Sequence, residues 1–389
     1  MAGDSRSSPP GSRTLPKRLA VPAFIGLILA LLAMLEVGAR VLIAYSPVSP
    51  LARIVAEYEM LATRGPDWIR FVPDPELSYA LRPGYELRAG DRPGLTRHNR
   101  DGFRNLRDFA PKPPGVTRIA CYGGSTTYGV SVQDNEETYP ARLEVALNQM
   151  RGADSTRVET WNLGVGGYTT REILGTLKRT LPALQPDAVL IQIAINDVIP
   201  RFYPDYQNDY SHFRTPFASL ELNAFQRMAR RSRAWLALAY GAGWIKPLSL
   251  QSQTQRPMPP VDEALAHLDA TPPSGFAENL EAAVLLARDA GCQVWLLTEP
   301  YLDVPAFAGP TEEARRLEAG YRRGLLEHNA LIREIAARTG AGLVDLDQIM
   351  PREHAYFSDP IHMTVPGNRV KAELVANAIA ADLDRPQDP

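Results

Sequence analysis

Cysteine is nearly absent, with Cys121 and Cys292 the only two. That count excludes a disulfide framework, and neither residue has the Cys-x-x-Cys or Cys/His spacing of a metal site. Both sit in or beside apolar, strand-like runs, which predicts buried free thiols. An excess of charge of either sign is also missing. A net charge of −2 over 389 residues gives no footprint for a general nucleic-acid binder. Clustered histidines are lacking: His98, His212, His267, His328 and His354 read as surface or packing residues rather than metal ligands. There is no internal repeat. The 45% hydrophobic and 22% charged fractions are those of a globular protein, long enough for one large domain or two ordinary ones.

Long apolar runs are missing too, with one exception. Leu19 to Leu35 carries no charge across 17 residues, the lower limit for a membrane span. Arg6, Arg13, Lys17 and Arg18 precede it against the single acid Asp4, and Glu36 and Arg40 follow one turn apart. The readings are an uncleaved single-span anchor, a cleaved signal peptide and a buried core helix. The basic flank and the length favour the first two. No small-x-small cleavage site follows, which favours an anchor over residues 19–45. The positive-inside rule then places residues 1–18 in the cytoplasm and the rest outside it, on the periplasmic face of an inner membrane.

Residues 46–115 are rich in proline, arginine and turn residues. Their aromatics (Trp68, Phe71, Tyr79, Tyr85, Phe103) predict an extracytoplasmic stalk partly packed on the main domain, ending near Pro111-Lys-Pro-Pro-Gly115. Strand-like runs then alternate with helical patterns. Strands are expected over 118–122, 158–162, 188–195, 293–298 and 342–346. Helices are expected over 138–150, near 170–182, and over 277–290, 320–339 and 366–383. This alternation predicts a parallel sheet with helices on both faces and function at the carboxyl ends of the strands. Residues 199–275 interrupt the rhythm. Their amphipathic middle favours a lid or cap over a linker.

Chemistry-bearing residues gather at the strand ends. Gly123-Gly-Ser125 stands at a strand-to-helix turn, where free N–H groups favour developing negative charge. Asn162-Leu-Gly-Val-Gly-Gly167, Asn196-Asp197 and Asp359-Pro-Ile-His362 follow later. Serine acyl transfer needs a base, a group that orients the base, and donors for an oxyanion. His362 can be the base and Asp359 the orienting group. The donors can be the Ser125 N–H, a glycine N–H of the second loop and the Asn196 amide. Each element has a bland counterpart: a helix cap, an Asp-Pro turn, ordinary loop chemistry. Their joint placement on one sheet edge favours the chemical reading.

The order Gly-Gly-Ser-Thr, Asn-x-Gly-x-Gly-Gly, Asn-Asp and Asp-x-x-His resembles the blocks of the SGNH (GDSL-type) hydrolases, over roughly residues 116–385. The resemblance implies a three-layer α/β/α fold with five parallel strands in order 2-1-3-4-5. It also implies a serine esterase or O-acyltransferase acting without metal or organic cofactor. By resemblance Ser125 is the nucleophile, Asp359 and His362 complete the triad, and Ser125, Gly167 and Asn196 form the oxyanion hole. Two departures stand out. The family's Gly-Asp-Ser reads Gly-Gly-Ser, and its Gly-x-Asn-Asp reads Ala194-Ile-Asn-Asp, which predicts an extra methyl group near the oxyanion pocket. The anchor, the Asn99–Arg104 segment and the Gly-Gly-Ser variant resemble bacterial membrane-anchored members, some associated with acyl decoration of extracytoplasmic glycans. The competing readings are a non-catalytic, membrane-tethered glycan-binding or assembly protein and a lipid-directed enzyme. The latter would use Arg227, Arg230, Arg231 and Arg233 beside Trp235 and Leu236.

Overall fold

A computed structural model describes residues 17–46, 50–64, 70–89, 92–152, 156–214, 222–245, 256, 258–304 and 311–383. The chain divides into two compact units: one of residues 1–63 and 220–248, the other of 64–219 and 249–389.

In the first unit, α1 (Lys17–Tyr45) is a single long helix. Its stretch Val21–Tyr45 is long and apolar enough to cross a membrane, by length and composition. The unit also holds α2 (Pro50–Arg64), α6 (Ala224–Ala229) and α7 (Arg233–Gly241), of which α7 packs on α1.

The second unit opens with two antiparallel hairpins, β1 (Phe71–Asp74) with β2 (Ser78–Leu81) and β3 (Glu86–Ala89) with β4 (Arg92–Arg97). The central sheet follows: β5 (Val116–Gly123), β6 (Arg157–Gly164), β7 (Ala188–Gln192), β8 (Gln293–Leu297) and β9 (Gly342–Val344). It is parallel throughout, in spatial order β6-β5-β7-β8-β9. That is the expected 2-1-3-4-5 order.

Period-two burial divides the core between the two faces of the sheet. Ala120, Tyr122, Val189, Ile191 and Leu296 pack with α5 (Thr170–Leu184), α9 (Ser274–Asp289) and α10 (Glu312–Thr339). Ile119, Cys121, Leu190, Trp295 and Val344 pack on the other face with α4 (Tyr139–Arg151) and α12 (Val365–Ile379). Cys121 and Cys292 are buried free thiols. Two short helices, α3 (Ser125–Tyr128) and α11 (Leu346–Ile349), and α8 (Val261–Ala270) complete the unit.

One strand ends early. The apolar run 188–195 predicted a strand throughout, but β7 stops at Gln192 and a 3-10 helix runs over Ile195–Phe202. The Ile195 N–H donates to the Glu299 carboxylate rather than to a neighbouring strand. Ile193 and Ala194 stay buried outside the ladder, so hydrophobicity alone overran the boundary. Ala194, expected to add a methyl group near the oxyanion pocket, is fully buried among the core residues between sheet and helices.

Of the insertion 199–275, residues 199–214 and 258–275 lie in the second unit and 222–245 in the first. Residues 215–221, 246–255 and 257 fall outside the described residues, and so does the part of the expected lid that they would form.

Candidate active site

Strand β5 delivers the chain to Gly123 and Gly124, and Ser125 begins α3 immediately afterwards. A Cβ at Gly124 would lie 2.7 Å from the Asn196 Nδ2 and 3.3 Å from the Ile193 Cδ1, so any side chain there would push the Asn196 amide aside. The Gly-Gly-Ser variant thus allows the Asn196 amide to lie against the turn that carries the serine.

From the far end of the chain, residues 358–363 double back, with Phe357 bridging Met363. Asp359 Oδ1 accepts the backbone N–H groups of Ile361 and His362, at 3.0 and 2.9 Å. Its Oδ2 lies 2.6 Å from His362 Nδ1, and His362 Nε2 lies 2.7 Å from Ser125 Oγ. Burial opposes the charge on Asp359. The hydrogen bonds and charge of His362 outweigh it, with help from the Ile361 N–H, and hold the carboxyl below its ordinary range. Ser125, His362 and Asp359 therefore form one continuous hydrogen-bonded chain.

The second loop carries Gly167 in the left-handed region, with φ +82°. Two long-range bonds hold its peptide groups. The Tyr79 hydroxyl donates to Gly166 O at 2.9 Å, and the Arg214 guanidinium donates to Gly167 O at 2.6 Å. The Gly166 carbonyl belongs to the same peptide group as the Gly167 N–H. Because that bond is trans, holding the carbonyl on one side aims the N–H to the other. Tyr79 is itself held, since Tyr168 donates its hydroxyl to Tyr79 O at 2.6 Å. Arg214 pairs with Glu172, and both are buried.

The third loop carries Asn196, whose amide donates one hydrogen to Tyr168 O at 2.8 Å. Asp197 turns the other way. It is buried and accepts the N–H and hydroxyl of Thr170 and the hydroxyl of Tyr210. Burial pushes its carboxyl up to about 7. Asp197 thus caps α5 and ties the second loop to the third.

Several of these supports were not among the sequence-predicted residues. Tyr79 lies in the segment read as a stalk. So does buried Arg104, which donates to the carbonyls of Tyr128, Gly129, Val132 and Gln133 directly behind α3. Glu299, at the end of β8, accepts the Thr126 hydroxyl at 3.2 Å and the Ile195 N–H at 2.8 Å. It therefore joins the residue after Ser125 to the residue before Asn196, and burial raises its carboxyl. Buried Lys371 bonds the Gln192 amide oxygen and sits 3.8 Å from the centroid of the Tyr139 ring. Burial pushes its ammonium down to about 7. No sequence signal marked Lys371, which alternates with the charged Arg369 and Glu373, and little marked Glu299 beyond its place just after the apolar run of β8. Among the described residues, no cluster of His, Cys, Asp or Glu is placed to hold a metal ion.

The family model of GDSL-like lipases and acylhydrolases matches residues 121–370. The chain belongs to that family. Membership places it among the serine ester hydrolases. The GDSL match takes in all four strand-end loops, from β5 through His362. Solved structures similar to it include a lipase/acylhydrolase from Enterococcus faecalis, at 19% identity and a TM-score of 0.40, covering 70% of this chain and 100% of that one. An α/β hydrolase, LAE5, from the metagenome of Lake Arreo shares 17% identity with a TM-score of 0.40, covering 69% and 97% of the two chains. A catalytic mutant of Axe2, an acetylxylan esterase from Geobacillus stearothermophilus, shares 16% identity with a TM-score of 0.38, covering 70% and 97%. No curated protein matches the chain.

Proposed function

We propose that this GDSL-family enzyme cleaves or transfers an ester-linked acyl group through Ser125, His362 and Asp359, with an acylated extracytoplasmic glycan as its substrate. The observation that carries the mechanism is the Ser125–His362–Asp359 hydrogen-bonded chain. His362 takes the proton of the Ser125 hydroxyl as its oxygen attacks the ester carbonyl. Asp359 holds Nδ1 protonated, so Nε2 is the atom free to accept. The oxyanion is bound by the N–H groups of Ser125 and Gly167 and by the second N–H of the Asn196 amide. His362 then protonates the leaving alcohol. In the second step it deprotonates the incoming water or sugar hydroxyl, which takes the acyl group from Ser125.

The glycan part of the reading is supported by the N-terminal helix. Read as a span with its basic tail in the cytoplasm, the apolar helix would leave the hydrolase domain on the side where acylated cell-surface glycans are found. The test is acetate release from an acetylated polysaccharide by the full chain in detergent, with transfer to an added sugar measured in the same reaction. Release or transfer that disappears in Ser125→Ala supports the reading. Hydrolysis of a simple aryl acetate with no action on any acetylated glycan would remove the glycan from it.

A further inference from the structure

Helix α1 is bare along nearly its whole length. From Val21 to Leu35 every residue is exposed. Cover begins only near the end, at Glu36, Ala39 and Ile43, which fall on one face at helical spacing. The element packed there is α7. The contact is polar at its centre. Glu36 Oε2 accepts the Ser232 hydroxyl at 2.7 Å and the Ala234 N–H at 3.1 Å, while its other oxygen accepts from Arg40 at 2.8 Å. A carboxylate on the apolar helix thus meets the amino end of α7, where it satisfies a free backbone donor and opposes the helix dipole. An acid within an otherwise apolar span is costly unless so partnered.

Residues 222–245 have the composition of a membrane interface. Phe225, Trp235 and Trp244 form an aromatic cluster, with ring centroids 6.2–6.4 Å apart. Trp244, Met228 and Leu238 are 60%, 56% and 54% exposed. Arg227 and Arg231 are exposed on α6 and just after it. With a rise of 1.5 Å per residue, about 20 residues counted from Leu19 cross the hydrocarbon, which places Glu36 to Ile43 at its outer boundary. Tryptophan is enriched at that depth, and arginine there meets anionic headgroups.

We propose that residues 222–245 form an interfacial helical hairpin that lies in the outer headgroup layer of the bilayer and is latched to the membrane span by Glu36. The occupant of its exposed Trp244, Met228 and Leu238 is lipid, because the helix they accompany is itself clothed by lipid. The proposal rests on reading α1 as a membrane span.

The test uses the full chain reconstituted into vesicles of phosphatidylcholine and phosphatidylglycerol, with and without bromine high on the acyl chains. The expected result is loss of most of the emission that Trp244 contributes, measured as the difference between wild type and Trp244→Phe. Glu36→Ala is expected to speed hydrogen exchange at the Ala234 and Trp235 amides about tenfold. Alkaline carbonate extraction separates the two readings. Release of the chain would remove the span itself. Retention without bromine quenching at Trp244 would overturn the interfacial hairpin. Unchanged exchange in Glu36→Ala would overturn the latch.

Discussion

Replacing Tyr79 with phenylalanine removes one hydroxyl 87 residues away from the peptide that it holds. The ring is retained, and with it the packing against Phe71 and Tyr168, both at 5.3 Å between centroids. What is lost is the 2.9 Å bond to Gly166 O. A bond of this kind contributes about 0.5–1.5 kcal/mol net. The Arg214 bond to Gly167 O and the left-handed φ of Gly167 remain, so the peptide loosens rather than turns away. Full removal of an oxyanion donor costs about 10²–10³ in kcat. Loosening by about 1 kcal/mol corresponds to a kcat about fivefold lower. On the proposed mechanism the Gly167 N–H meets charge that develops only in the transition state, so KM is expected to hold. The assay is steady-state hydrolysis of p-nitrophenyl acetate by the full chain in detergent, with a thermal melt alongside. A melting temperature that falls while kcat does not change would refute the reasoning, because Tyr79 would then serve stability alone.

Asp359→Asn is expected to lower kcat by about 10⁴. Its single carbonyl oxygen must keep the Ile361 and His362 N–H bonds, so its NH₂ faces Nδ1 and selects the wrong tautomer; pre-steady-state acylation rates measure this. Gly124→Asp, which restores the more usual family residue, is expected to lower kcat here, because its Cβ would displace the Asn196 amide; comparing kcat with KM checks it, and unimpaired kcat would contradict it. Lys371 carries a depressed pKa of about 7, so burial of its charge costs stability in full below that value. The cost fades as pH rises towards the unfolded value of about 10.5. Lys371→Met is therefore expected to be more stable relative to wild type at pH 6 than at pH 10, by thermal melts at both.

The parallel sheet was readable because β5, β7 and β8 carry apolar runs and strand-like and helical patterns alternate along the chain, and the strand order followed from the family's blocks. Ser125, Asp359 and His362 were singled out by their joint placement at the strand ends and by the order of the family's blocks, not by any one motif, and the structure joins the three by hydrogen bonds. The end of β7 was not readable, because Ile193 and Ala194 are as apolar as the strand although they leave the ladder. Tyr79, Arg104, Arg214 and Glu299 act through hydrogen bonds spanning many residues of sequence, and such bonds leave no periodic trace. Glu36 and Arg40 announced their own pairing at helical spacing. Nothing in the sequence pointed from Glu36 to Ser232, since that contact depends on α7 returning to α1.

The most direct measurement of the central claim is covalent labelling of the full chain in detergent by a fluorophosphonate, with Ser125→Ala and His362→Ala alongside. The account predicts one labelled serine, Ser125, in wild type, no labelling in Ser125→Ala and strongly slowed labelling in His362→Ala. A folded wild-type chain that takes no label, or one that labels equally in Ser125→Ala, would contradict it.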